Sequence, residues 1–415
     1  MTMMRRMMVL VIAVGLLFVV GIDPSLAQQK PIKIGFIVPL TGPAAANAKD
    51  MVDALNMCVD DVGGKVAGRP VKVFVEDDAL KPAQGLAKAR KLVTEDGIHV
   101  LTGVMLGSVN GAIAPYVHEK KLPFLTMAAS PSDITFKKDS PYLFRPISSG
   151  IQVMHPFGEW AYKNLGVKKV VTMSLDYTFG YDNIQAFHRT FEEAGGKVIQ
   201  MIWTPVNVLD FAPYISQINQ EADAVCCLYW GSFSLRFTKQ FEEAGLKGKM
   251  KILGGPTFVD EHALRFMGDE ALGIISANSW SAALDTPNAK KFVQEYRRRY
   301  GFVPSFYSEM VYTNMRWLFA AIRSINGNVE DSGKLVAALK KTKIADAPRG
   351  PLEMDNYNNA VHNIYIRKVE RGKEDLQNTV IATIPKVSQF WKYNPEEFIK
   401  EPSYSRDYPP CKDCK

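Results

Sequence analysis

Long apolar runs are nearly absent from this chain of 415 residues. The one that exists, from Met7 to about Ile22, follows Arg5-Arg6 and gives way to Asp23-Pro24 and Ser25-Leu26-Ala27. A bilayer span needs about 20 apolar residues, so a shorter stretch with a basic start and a small-residue end reads as a secretory signal. Cleavage is expected after Ala27, with no cysteine beside it to take a lipid. No later stretch is long and apolar enough to cross a membrane, so the mature chain is expected to be an exported soluble protein.

Metal ligands and reactive groups are also scarce. The five cysteines are Cys58, Cys226, Cys227, Cys411 and Cys414, and the six histidines are scattered at 99, 118, 155, 188, 262 and 362. A zinc site needs a second ligand pair beside the lone Cys411-Lys412-Asp413-Cys414, and none has suitable spacing, so a local tail disulfide is expected and no metal. Cys226 and Cys227 lie in an apolar run and read as strand core residues facing opposite sides. The chain lacks a G-x-x-x-x-G-K-[ST] loop, a G-x-G-x-x-G turn and a G-x-S-x-G elbow, since Gly107-Ser108-Val109-Asn110-Gly111 has its serine one place early. Together these absences favour a binding protein without a cofactor over an enzyme. The net charge of +7 drops by one when the signal leaves. Its only basic cluster, Arg297-Arg298-Arg299, ends an amphipathic helix as a solvated face, so nucleic acid is not an expected partner.

What is present is an alternation of strands and helices. Strand 33–38 leads to a helix from about Ala45 to Val62. Strand 71–75 runs into Glu76-Asp77-Asp78, expected as a helix cap and solvent-facing charge. Helix 82–95, strand 99–102, helix 109–120 and the strand within Leu122–Thr126 complete a βαβ series, which predicts a parallel sheet covered by helices. The rhythm restarts after Pro146–Gly150, with strands at 169–174, 198–203, 224–228 and 251–254. A helix at 153–165 is expected before the first of them, and helices at 183–194, 211–219 and 234–244 between them. The fold class is therefore α/β with two similar lobes. Further β-like segments at 363–369 and 379–384 suggest that the chain crosses between lobes more than once.

Ligands of open α/β sheets bind beyond the carboxyl ends of the strands. In the first lobe those ends carry Leu106, Gly107 and Ser108, then Ala128 and Ser130, a small and hydroxylic set. In the second they carry Tyr177 and Phe179, then Trp230, then Thr257, a mostly aromatic set. Ser108 and Ser130 each stand where a helix is expected to begin, with Pro131 at the first helical position and Asp133 two residues on. They read equally as plain helix caps and as one end of an anion site between two helix N-termini. Tyr177, Phe179 and Trp230 read as a stacking wall or, taken one by one, as core.

The segments "IKIGFIVPLTGPAAANAKDM", "LPFLTMAAS", "LDYTFGYDNIQAFHRTFEEAGGKV", "DFAPYISQI" and "FEEAGLKGKMKILGGPT" occur in this order. The mature chain thereby resembles the type I periplasmic solute-binding proteins of branched-chain amino-acid (Leu/Ile/Val-type) ABC transporters. That resemblance implies two Rossmann-like lobes with parallel-type sheets, joined by three crossovers near Pro146–Gly150, Asn278–Trp280 and Met354-Asp355. It places residues 31–148 and 279–354 in one lobe, 149–278 and 355–395 in the other, and 396–415 in a tail. It also implies a small carboxylate ligand, a membrane permease as partner and a monomer. In amino-acid binders of this family, positions matching Ser108, Ala128 and Ser130 hold the ligand carboxylate, while an acid and a tyrosine hold its ammonium. Here Thr257 and Phe179 stand at those two places, and a buried ammonium without a partner would cost several kcal/mol. The ending "VSQFWKYNPEEF…YSRDYPPCKDC" is similar to a subgroup associated with aromatic carboxylates such as benzoate- or cinnamate-like acids. The expected ligand is such an acid. An amino acid held by Asp176, Glu309 or another acid is the alternative, and a receptor's sensor domain is the alternative of another class.

Overall fold

The computed structural model describes residues 30–127, 131–137 and 140–414. The expected signal, with its cleavage point at Ala27, lies outside them, as do Ala128 and Ser130. The chain opens with β1 (Ile32–Val38), α1 (Ala45–Asp61), β2 (Lys65–Val66), β3 (Arg69–Asp77) and α2 (Pro82–Lys91). It continues through β4 (Val100–Gly103), α3 (Gly107–Glu119), β5 (Phe124–Thr126) and β6 (Leu143–Phe144). Their sheet has the order β2-β3-β1-β4-β5-β6, parallel except for β2. Alternation along β1 sends Ile34, Phe36 and Val38 into one core cluster and Ile37 into another, so both faces of the sheet are covered.

After Phe144 the chain leaves this sheet for α4 (Gly150–Leu165), which starts on a Ser149–Gln152 capping box. Then come β7 (Lys169–Leu175), α5 (Thr178–Glu193), β8 (Lys197–Thr204), α6 (Ala212–Ile215) and β9 (Ala224–Leu228). α7 (Ser232–Glu243), β10 (Lys251–Gly254), α8 (Glu261–Leu264) and β11 (Ile275–Asn278) complete this run. α9 (Pro287–Tyr300), α10 (Phe306–Ser324) and α11 (Ser332–Lys341) return to the first core through Phe292, Val311, Trp317 and Leu335. β12 (Glu353–Met354), β13 (Ala360–Arg371) and β14 (Leu376–Val387) then complete the second sheet, and α12 (Pro395–Phe398) lies in the tail.

Several expectations need correction. The two-lobed α/β class holds, and the second sheet is parallel through β8, β7, β9, β10 and β11 but mixed at its edge, where β13 pairs antiparallel with β11 and, across a hairpin, with β14. The helix expected over 211–219 is the single turn α6. Beyond Ile215 the amides of Gln217 and Ile218 bond three residues back, and the Asn219 amide turns to the Gln200 side chain. Helix α2 ends at Lys91 and opens into one π-turn over Leu92–Asp96. Asp78 is buried rather than solvent-facing and accepts from the Leu80 amide at 2.9 Å, and burial pushes its carboxyl up. The arginine triplet is not merely solvated: Arg299 reaches Asp61 on α1 at 2.6 Å, and Arg297 reaches Glu374 in the β13–β14 turn. The Cys411–Cys414 disulfide is present, and buried Cys226 and Cys227 enter cores on opposite faces of β9.

Candidate functional site

An apolar cavity of about 510 Å³ opens beyond the carboxyl ends of the strands of both sheets. Leu106, Gly107, Ser108, Tyr177, Phe179, Trp230 and Thr257 all line it. The first wall depends on a strained turn. Gly103 has φ +98°, and a Cβ there would sit 2.3 Å from the Ile37 carbonyl oxygen. Buried Val104 follows with φ +62°, a conformation rare for a β-branched residue. The turn delivers the chain into α3, whose first helical bond runs from the Asn110 amide to the Leu106 carbonyl at 3.0 Å. The amides of Gly107, Ser108 and Val109 are thus left without helical partners. No side chain caps α3, so Ser108 is not a cap: its hydroxyl lies in the second helical residue, on the cavity.

The second helix N-terminus is not the expected one. Pro131 itself caps only a single 3₁₀ turn, Ser132–Ile134, too short to carry a helix dipole. This segment is held instead by buried Arg145, which donates to the Pro131 and Ser132 carbonyls at 3.1 and 2.9 Å, while the Ser132 amide donates to Asp182 at 2.6 Å. Burial pulls the guanidinium down to about 10, which leaves it charged at neutral pH. The missing terminus comes from α5. It begins at Thr178, five residues before the expected Asn183, so Phe179 belongs to its first turn with Tyr177 as N-cap. The Tyr181 amide makes the first bond to the Tyr177 carbonyl at 3.1 Å. Gly180 allows this start, since a Cβ would lie 2.3 Å from the Leu175 oxygen. Ala44 before α1, Trp230 before α7, and Phe306 and Tyr307 in the first turn of α10 also line the cavity. The positive ends of several helices therefore surround a space whose lining, among the described residues, holds no charged side chain.

The opposite wall is aromatic. The Trp230 indole N–H donates to the Tyr177 hydroxyl oxygen at 3.1 Å. The Tyr177 and Phe179 rings lie 6.0 Å apart, tilted by 49°, and Phe306 and Tyr307 form an edge pair at 5.7 Å. Burial pushes the Tyr177 and Tyr307 phenols up, so both stay protonated. Thr257 spends its hydroxyl proton on the Tyr229 carbonyl at 3.0 Å. The acids that could replace the one missing at 257 are committed elsewhere. Asp176 accepts from Tyr181 at 2.6 Å and Arg406 at 2.9 Å, and Glu309 is buried against Arg349 at 2.6 Å. Neither lines the cavity.

A polar groove of about 820 Å³ runs between α8, α9 and the β13–β14 turn. Beside it helices of the two sheets meet through polar contacts: Asp50 of α1 lies 3.2 Å from the His262 ring of α8 and 3.2 Å from the guanidinium of the adjoining Arg265, which also donates to the Val303 carbonyl at 2.7 Å.

A family model described as a periplasmic binding protein matches residues 31–374. The chain is a type I periplasmic binding protein. Over 383 residues the binding protein is 30% identical to "Leu/Ile/Val-binding protein homolog 6" of Brucella melitensis, covering 90% of this chain and 97% of that one. A solute-binding protein of an ABC transporter from Rhodopseudomonas palustris BisB5, solved in complex with 3,4-dihydroxybenzoic acid, is 34% identical. Its TM-score is 0.82, with 86% of this chain and 98% of that chain covered. A second, from R. palustris HaA2 in complex with p-hydroxybenzoic acid, is 31% identical with a TM-score of 0.81, covering 87% and 99%.

Reading the binding protein's sequence missed Met127, Phe306, Tyr307 and Met310, all on the cavity. Ser305 before Phe306 was a legible helix cap, and its side chain does accept from the Ser308 amide. Nothing local shows that this helix begins at a cleft whose other wall is more than a hundred residues away in sequence.

Proposed function

We propose that this periplasmic binding protein of the ABC transporter type closes on a small aromatic carboxylate and presents it to a membrane permease. The observation that carries the reading is an aromatic, uncharged lining ringed by helix N-termini. Anionic oxygen is favoured there by free amides, and an ammonium finds no acid. The carboxylate rests on the α3 amides and Ser108, with Ala128 and Ser130 completing the seat. Tyr177, Phe179 and Trp230 enclose the ring, and the small neutral Thr257 stands where an amino-acid binder would need an acid. The lobes are 31–148 with 279–354 and 149–278 with 355–395, acting as a monomer. Enclosing a ring removes roughly 150–250 Å² of apolar surface, about 4–6 kcal/mol at ~25 cal/mol/Å². Charge-assisted hydrogen bonds add about 1.5–3 kcal/mol each, and ordering costs bring the sum to a micromolar to nanomolar dissociation constant. The hydroxybenzoate complexes of the two R. palustris proteins support this reading.

Thermal unfolding of the mature protein with benzoate, 4-hydroxybenzoate, aliphatic acids and leucine tests it. At a hundredfold excess over its dissociation constant a ligand adds about 2.7 kcal/mol of apparent stability. Ring-bearing acids are expected to raise Tm and leucine is not; stabilisation by leucine alone would sink the reading.

A further inference from the structure

The tail that follows β14 is fastened to the second sheet and reaches back to the first wall of the cavity. Phe390, Phe398 and Tyr404 are buried in the core cluster that α4 and α5 share. Tyr404 and His155 of α4 are joined by a hydrogen bond of 2.8 Å, and Arg189 of α5 pairs with Glu401 at 2.6 Å. Gln185 of α5 donates to the Ser405 and Arg406 carbonyls at 3.0 and 2.9 Å. The tail therefore moves as part of the second sheet.

The segment 131–137, between β5 and β6, is rooted in the first sheet. Buried Ile134 enters that sheet's core. Arg145, just after β6, donates to the Pro131 and Ser132 carbonyls and to the Thr135 hydroxyl oxygen, the last at 3.1 Å. The other side of the segment faces the tail. The Phe136 ring packs on the second core, 5.5 Å from Phe390 and 5.9 Å from Phe398 between centroids. Ser403 donates to Asp133 at 3.1 Å, Thr135 to Gln389 at 2.8 Å, and Lys137 to the Glu401 carbonyl. None of these tail residues lines the cavity, whereas Pro131 does.

A segment rooted in one sheet and seated on the other loses one set of contacts when the sheets separate. Contacts made only in the closed arrangement add to ligand affinity without touching the ligand, by shifting the balance toward that arrangement. Their loss spares the encounter and speeds the escape. We propose that the tail is a latch for the cavity's first wall: residues 389–403 seat the segment 131–137 as the sheets close, and Phe136 and Ser403 are positioning residues for ligand retention. This rests on the reading above that the protein closes on a ligand, and is independent of whether that ligand has a ring.

Stopped-flow kinetics with 4-hydroxybenzoate, or with leucine if leucine alone binds, tests it. Phe136→Ala should speed release about tenfold and keep association within about twofold of the wild type. Phe136→Leu should restore most of the loss. Ser403→Ala, at an exposed position, should speed release about two- to threefold. A merely structural role would lower Tm or the fraction of protein that binds, and leave the release rate of the remainder unchanged. That result, or a weakening carried by slower association, overturns the inference. Hydrogen exchange of the wild-type protein needs no variant: saturating ligand should slow exchange at 396–404, away from the cavity, as well as at 132–137. Tail amides that gain no protection overturn the latch too. Binding of leucine with no ring-bearing acid removes the aromatic reading and leaves the latch to be decided by the same release rates. Binding of neither removes the reading on which both rest, and the latch with it.

Discussion

The cavity and the groove beside α8 are neighbours of opposite character. The cavity of about 510 Å³ has an apolar and aromatic lining with no charged side chain among the described residues, whereas the groove of about 820 Å³ is lined by Arg265, Arg297, Arg371, Glu374 and Asp375 among others. The difference separates two tasks that both need electrostatics. In the cavity, positive potential comes from backbone amides at helix starts, which are rigid and need no counter-charge. Beside the groove, side-chain ion pairs such as Asp50–Arg265 link helices of the two sheets, and such contacts can break and re-form if the sheets' relative position changes. The cavity thus offers fixed dipoles, and the groove offers side-chain charges.

The sharpest way to break this comparison is at the backbone. Gly103→Ala places a methyl group 2.3 Å from a backbone oxygen at φ +98°, while Gly301, in the groove at φ +85°, has nothing within 4 Å of such a methyl. Urea unfolding should show a loss of about 3 kcal/mol or more for the first change and about 1 kcal/mol for the second. Equal losses would mean that the wall is no more constrained than the groove.

Next in size is affinity. Trp230→Ala removes ring surface and the donor to Tyr177, so binding of an aromatic acid should weaken roughly a hundredfold. Asp50→Asn changes a residue that does not line the cavity and loosens His262 and Arg265. It should weaken binding only about tenfold by favouring the open arrangement, visible as a larger radius of gyration with ligand present. A larger effect from Asp50→Asn than from Trp230→Ala would reverse the division of labour.

The smallest effect is a pH slope. Burial pushes the Asp260 carboxyl up to about 6, so the native state holds that proton more tightly than the unfolded chain. Its contribution to stability is present at low pH and falls away between about 4, the unfolded value, and about 6. Asp50 has the opposite sign: burial opposes its ionisation, but His262 and Arg265 outweigh it and hold the carboxyl below its usual value, so its contribution is lost as pH falls. Asp260→Asn can still accept from the Ala263 amide through its side-chain oxygen. Urea midpoints against pH should lose the decline between about 4 and 6 in that variant and keep the acid-side loss.

Legibility followed the range of the interactions. The strands at 33–38, 224–228 and 251–254 could be read because continuous apolar runs mark buried parallel strands. The start of α5 could not, because Thr178-Phe179-Gly180-Tyr181 lacks a helical apolar period and is held by the close approach of Gly180 to β7. Cavity residues that follow a strand were reachable by the strand-end rule. Phe306 and Tyr307 were not, since they sit at a helix start with no strand before it.

The sequence by itself determined the α/β alternation, the small and aromatic residues at the strand ends, and the absence of an acid at Thr257. These are local properties, carried by residue type and by the periods of strands and helices. Only the tertiary structure decided which helix starts meet, that Trp230 donates to Tyr177, that Arg145 rather than a helix holds the Pro131 segment, and that Asp50 faces Arg265. Each is a contact between residues far apart in the chain, and its existence depends on how the crossings between two sheets bring separate cores together.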